Sequence, residues 1–215
     1  NVKRLADDGL VRKVHGGVAL PDPLRETTFR LRMGERAQAK RAIARAAAEL
    51  ISPGETVILD TGTTTTYVAQ AMADLRDLLV VTNSTDIART LAVGQGNRVY
   101  MAGGELRADD GAVLGHHAIG YIEQFQAHSA ILSIGALDPV IGLMDHHVAE
   151  ADFSTAVIAH AERAIVVADH TKFARRAPVR FAGLDQIDVV ITDRELPRET
   201  ADAIEAAGVV LVIAG

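Results

Sequence analysis

Short apolar runs of four to six residues recur along this chain with helix-forming stretches between them, and that alternation restricts the fold more than any other feature. The runs fall at Thr56 to Leu59, Leu78 to Thr82, Arg98 to Ala102, Ser129 to Ile134, Ala164 to Ala168, Val189 to Thr192 and Val209 to Ile213. They are rich in Val, Ile and Leu, so they read as strands covered on both faces. The intervening segments predict helices over Thr64 to Ala73, Thr85 to Ala92, His116 to Phe125, Val148 to Ala161 and Arg198 to Ala207. An earlier helix, Glu35 to Ile51, is stopped by Ser52-Pro53-Gly54. Buried strands joined through helices need crossover connections. The expected fold is therefore a doubly wound α/β domain, a mostly parallel sheet with helices on both faces.

The core of such a domain is aliphatic, and 48% of the 215 residues are hydrophobic while only 4% are aromatic. That length suits one α/β domain with a small appendage. The chain has no cysteine, which excludes disulfides, thiolate nucleophiles and cysteine-ligated zinc. Nothing reads as a signal peptide, and no apolar run approaches the ~20 residues that span a bilayer. A cytoplasmic protein is expected.

Charge is unevenly spread. Residues 1–41 carry ten basic and five acidic side chains, the remainder twelve and twenty-three. The imbalance points to an anionic partner at the N-terminal end, the plain alternative being a solvated basic helix. Within that end, NVKRLADDGL reads as a helix tail stopped at Gly9, and LVRKVH as a short strand ending at Gly16-Gly17. The helix begins in mid-pattern without an N-cap. The chain is thus expected to be a fragment whose missing part precedes Asn1.

Ligands of doubly wound sheets bind outside the carboxyl ends of the strands. The most informative strand end is VILDTGTTTT: Asp60 and Thr61 close a buried strand, Gly62 turns the chain, and Thr63, Thr64 and Thr65 open a helix. Free amides, the helix dipole and the hydroxyls there form a cup for a phosphate or carboxylate; a run of N-caps without a ligand is the alternative. Neither a Walker loop nor a G-x-G-x-x-G fingerprint is present. A second strand ends in Thr82, Asn83 and Ser84, of which Ser84 reads as a helix cap. A third ends in Gly103-Gly104, which admits close backbone approach or merely a sharp turn. A fourth carries Lys172, in a chain with eighteen Arg and four Lys, as a compact charge suited to phosphate or simply as a surface lysine. Glu150 opens a helix nearby in sequence, to bind hydroxyls or to favour the helix dipole. Adjacent pairs His116-His117 and His146-His147 do not face one another on a helix, and His146 with Glu150 supplies two ligands where a catalytic zinc takes three. No metal and no other cofactor is expected.

Taken in order, RLADDGLVRKVHGG, LDTGTTT, VVTNS, AGGELR, the glycines around Gly111 to Gly115 and DHTKF before VITD resemble the DeoR family of bacterial transcriptional regulators. The resemblance covers nearly the whole chain. It implies that residues 1–17 are the C-terminal remnant, helix end and wing, of a winged helix-turn-helix, that 18–34 are a linker, and that 35–215 are an effector-sensing domain. The implied fold is similar to that of ribose-5-phosphate isomerase and the CoA-transferases. It further implies a repressor of sugar or polyol catabolism that a phosphorylated sugar or polyol releases from operator DNA, acting as a homo-oligomer. On that mapping Asp60 to Thr65, Thr82 to Ser84, Gly103, Gly104 and Lys172 surround the effector, while Lys3, Arg4, Arg12 and Lys13 contribute phosphate contacts to DNA. Most of the helix-turn-helix is absent, so weak DNA binding at best is expected. The alternative is an aldose-ketose isomerase on the same fold, for which Glu150, Asp60 and Lys172 are the imaginable acid and base groups.

Overall fold

The computed structural model of the chain describes residues 12–14, 17–19 and 28–215. Two short strands, β1 (Arg12–Val14) and β2 (Gly17–Ala19), pair antiparallel. Lys3 and Arg4 lie outside the described residues, as does the helix tail expected before Gly9.

The body is one seven-stranded sheet with every pairing parallel. Its strands are β3 (Thr56–Leu59), β4 (Leu79–Thr82), β5 (Arg98–Met101), β6 (Ala127–Leu132), β9 (Ala161–Val167), β11 (Val189–Thr192) and β12 (Val210–Ile213). In space they run β12-β11-β9-β6-β3-β4-β5. All seven apolar runs are in this sheet, and the doubly wound reading holds.

Alternate residues of each strand feed two cores. Val57 and Leu59 of β3 face α2 (Ala37–Ala48), α3 (Thr63–Ala71) and α4 (Thr85–Ala92), while Ile58 faces α5 (His116–Ile122), α6 (Val148–Ala159) and α7 (Arg198–Ala206). Each core is almost wholly aliphatic; Phe153 is the largest fully buried side chain of the helix layer on the Ile58 side. Burying a side chain of this kind contributes about 1.5–3 kcal/mol.

Where the sequence reading and the structure part, a competing interaction explains the difference. The run read as Ser129 to Ile134 begins two residues earlier, because β6 pairs with β9 from Ala127 opposite Ala161. It also ends earlier: Ser133 leaves the sheet and donates its N–H to Asp60 at 3.1 Å. A helix, α1 (Phe29–Gly34), lies within the segment read as linker. A second, antiparallel sheet of β7 (Ala136–Asp138), β8 (Gly142–Asp145) and β10 (Val179–Ala182) was not foreseen. Its hairpin turns on Asp138, whose carboxylate accepts the N–H groups of Val140 and Ile141 at 3.0 Å each.

Candidate functional site

The strand order reverses at β3. The chain proceeds from β3 to β4 and β5 on one side, then returns to place β6, β9, β11 and β12 on the other. The crevice at such a reversal is where doubly wound sheets take ligands. Asp60 and Thr61 follow β3 here, and Ser133 follows β6.

The Asp60–Gly62 turn is held from both neighbouring strands. Ser133 donates its N–H to the Asp60 carboxylate and its hydroxyl to the Thr61 carbonyl, at 3.1 and 3.3 Å. From the β4 side, Asn83 Oδ1 accepts the Thr61 N–H at 2.8 Å, while its Nδ2 donates to the Val113 carbonyl at 3.1 Å. Gly62 is required by proximity: a Cβ there would lie 2.1 Å from Ser133 Oγ. The turn therefore delivers the start of α3 against the end of β6, with the Gly62 position offering no side-chain cap. The first N–H groups of a helix have no partner within it. Thr65 and Thr66 spend their hydroxyls on the Gly62 carbonyl, at 3.1 and 2.7 Å, leaving Thr63 and Thr64 on the outward side.

Thr63 and Thr64 line a cavity of about 210 Å³. Six cationic side chains surround it, Arg32, Arg36, Lys40, Lys172, Arg175 and Arg176, against the carboxylates of Glu35 and Asp169. Lys172 thus shares one hollow with the threonine turn. It is placed there by the 3-10 turn His170–Lys172, which Asp193 anchors by accepting the His170 N–H at 2.7 Å and its ring Nδ1 at 2.9 Å. Burial pushes the Asp193 carboxyl up, yet these hydrogen bonds outweigh it and hold it below its usual range. Lys40 is 3% exposed, and burial pushes its ammonium down to about 8 despite the attraction of Asp169 and Glu35.

A smaller cavity of about 40 Å³ adjoins the first, sharing Arg32 and Gly135 in its lining. Asp60, Asn83, Arg107, Asp145 and Glu150 face it. Burial pushes the Asp60 carboxyl well above its ordinary value; the Ser133 N–H opposes this, and the charges of Asp145 and Glu150 add to it. Arg107 forks between Asp110 and Glu150. One hollow is cationic and the other is rich in carboxylates. Together they suit a molecule with an anionic end and a hydroxyl-bearing end.

Several expected residues sit elsewhere. Thr82 is fully buried, its hydroxyl accepting the Ser84 N–H at 3.1 Å, and Ser84 caps α4 by accepting the Ile87 N–H. Gly103 and Gly104 line neither cavity; a Cβ on Gly104 would meet Val113 at 2.7 Å, so that glycine serves packing. Among the described residues no group of three His, Asp or Glu is placed to hold a metal ion, and no helix is long and apolar enough to cross a membrane. Sequence reasoning missed Arg32, Arg36, Lys40, Arg107, Asp145, Arg175 and Arg176. Arg107 ends the AGGELR stretch and Asp145 ends an unforeseen strand; the others are cations in an arginine-rich chain and carried no local signature.

A doubly wound sheet with a cation-lined hollow at its reversal point is the architecture of an α/β small-molecule-binding domain. Residues 35–194 match the family model described as the DeoR C terminal sensor domain, and the chain belongs to the DeoR family of transcriptional regulators. The glycerol-3-phosphate regulon repressor of Escherichia coli (strain K12) is 35% identical over 197 residues, covering 92% of this chain and 78% of the relative. The HTH-type transcriptional regulator GlpR of Haloferax volcanii is 35% identical over 213 residues, covering 99% and 83%. Among solved structures, the tetrameric eIF2B-beta2-delta2 complex from C. thermophilum matches with a TM-score of 0.54 at 14% identity, over 80% of this chain and 61% of that one. At that identity the likeness concerns the fold alone.

Proposed function

We propose that this chain is the sensing part of a cytoplasmic repressor of sugar or polyol catabolism, and that a phosphorylated polyol or sugar in the paired cavities releases operator DNA. The observation that carries the reading is the large cavity: three cations from the N-terminal helices and three from the segment after β9 face the start of α3. Such a lining favours a dianion, because amides and guanidinium groups donate to phosphate oxygens in charge-assisted hydrogen bonds. The small cavity then takes the hydroxyl end, with Asp60, Asp145 and Glu150 as acceptors. Two relatives are named for glycerol 3-phosphate or as GlpR, which makes sn-glycerol 3-phosphate the first compound to test. The isomerase alternative is set aside, because relatives covering nearly all of the chain are named as regulators.

Thermal-shift assays compare glycerol 3-phosphate, ribose 5-phosphate, glycerol, ribose and sulfate. The reading expects stabilisation by a phosphorylated member and none by its dephosphorylated counterpart. Equal response to both, or to neither, contradicts it.

A further inference from the structure

The helices that enter the sensor from the N-terminal side also wall its anion cavity. We infer that residues 29–40 form an arm that a bound phosphate dianion draws closed, so that occupancy is passed directly to the basic residues preceding the arm. This deepens the proposed function and rests on it.

The arm supplies Arg32, Arg36 and Lys40 to one side of the large cavity, while Lys172, Arg175 and Arg176 come from the segment after β9 on the other. The six cations repel one another across the hollow, and the carboxylates of Glu35 and Asp169 offset only part of that charge. A dianion between the two groups attracts both. The arm is held by apolar packing, with Phe29 buried and Met33 and Ala37 against the core, and by polar contacts. Phe29 donates its N–H to Asp109 Oδ2 at 3.0 Å, Tyr67 donates its hydroxyl to the Met33 carbonyl at 3.0 Å, and Arg36 Nε lies 3.7 Å from Asp169. Phe29 is the one buried side chain of α1.

Two features make this segment suited to switching. Arg36, the residue between α1 and α2, has φ 51 and ψ 37, in the left-handed region that a side chain with a Cβ disfavours. The angle between the two helices is therefore kept by contacts rather than by backbone preference, and such strained positions concentrate at switch regions. In addition, the Lys40 ammonium both lines the cavity and donates to the Arg32 carbonyl in the last turn of α1. A ligand that attracts Lys40 thereby acts on α1. Arg32 extends the coupling, since it lines the small cavity as well as the large one.

Hydrogen exchange on the chain, with saturating sn-glycerol 3-phosphate, inorganic phosphate or glycerol, reads this directly. Expected is at least tenfold slower exchange over residues 29–40 with glycerol 3-phosphate and no change with glycerol. Arg36→Gln, whose side chain is 41% exposed and so tolerates replacement, is expected to lose most of that protection even at saturation. Lys172→Gln is expected to weaken binding about tenfold yet to keep the protection once saturated. Saturated binding with unchanged exchange over 29–40 overturns the arm while leaving the proposed function standing. Absence of binding by any phosphorylated compound overturns both.

Discussion

Arg107 stands between two carboxylates: its Nη2 lies 2.6 Å from Glu150, and its Nε donates to Asp110 at 2.9 Å. The guanidinium fork thereby joins the turn after β5 to the start of α6, fixing Glu150 at the small cavity. Burial pushes the Asp110 carboxyl up, but Arg107 and the Ala112 N–H outweigh it and hold it below its usual value. A depressed carboxyl contributes stability that is present above its unfolded value and lost as pH falls through the folded one.

Arg107→Lys is not conservative here, because an ammonium cannot serve both carboxylates with a planar fork. Urea unfolding at pH 7 is expected to show a loss of roughly 1–3 kcal/mol. The difference from the parent should shrink as pH falls below the ordinary carboxylate range and through the depressed folded value of Asp110.

Gly62→Ala places a methyl group 2.1 Å from Ser133 Oγ and 2.8 Å from its Cβ. The start of α3 must then move away from β6, at a cost of about 1–3 kcal/mol. Glycerol 3-phosphate affinity is expected to fall at least tenfold by calorimetry. Adding Ser133→Gly makes room and should restore part of the stability.

Asp60 is 5% exposed and disfavoured as a charge, so its raised folded value removes stability as pH rises through it. Asp60→Asn keeps an oxygen to accept the Ser133 N–H and discards the buried charge. Its thermal midpoint at pH 8 is expected to rise, by roughly 1 kcal/mol in stability, while affinity for the polyol phosphate falls.

Lys40 ties ligand affinity to pH. Asp169 and Glu35 favour its charged form; burial, Arg32 and Lys172 oppose it, leaving it near 8. Arg36, Arg175, Arg176 and His146 also face the same cavity. An arriving dianion raises that value, so binding takes up a proton. Affinity by calorimetry is expected to fall above about pH 8 and to lose this fall in Lys40→Met. Stability without ligand moves the other way: the folded value lies below the ordinary 10.5, so stability rises from about pH 8 toward 10.5.

The sheet was legible because its strands are covered on both faces and therefore appear as uninterrupted apolar runs. β3 and β11 coincide with their sequence readings at both ends. The antiparallel strands were hidden for the opposite reason: β7 has three residues, and its hairpin is fixed by Asp138 rather than by an Asn-Gly pair. In the site, the turn from Asp60 to Thr64 and the ammonium of Lys172 were recognisable from residue type at a strand end. Asn83 was recognisable too, although its side chain is occupied in holding the Thr61 turn. Arg32, Arg36 and Lys40 were not, because a basic amphipathic helix reads the same whether its charges face water or a cavity.

Titration calorimetry of the chain and of Lys172→Met with sn-glycerol 3-phosphate, in competition with inorganic phosphate, tests the central assignment most directly. The account predicts saturable binding that phosphate displaces and that the variant weakens by about tenfold or more, about 1.4 kcal/mol per factor of ten. Glycerol 3-phosphate binding that is indifferent both to phosphate and to the loss of the Lys172 ammonium contradicts it.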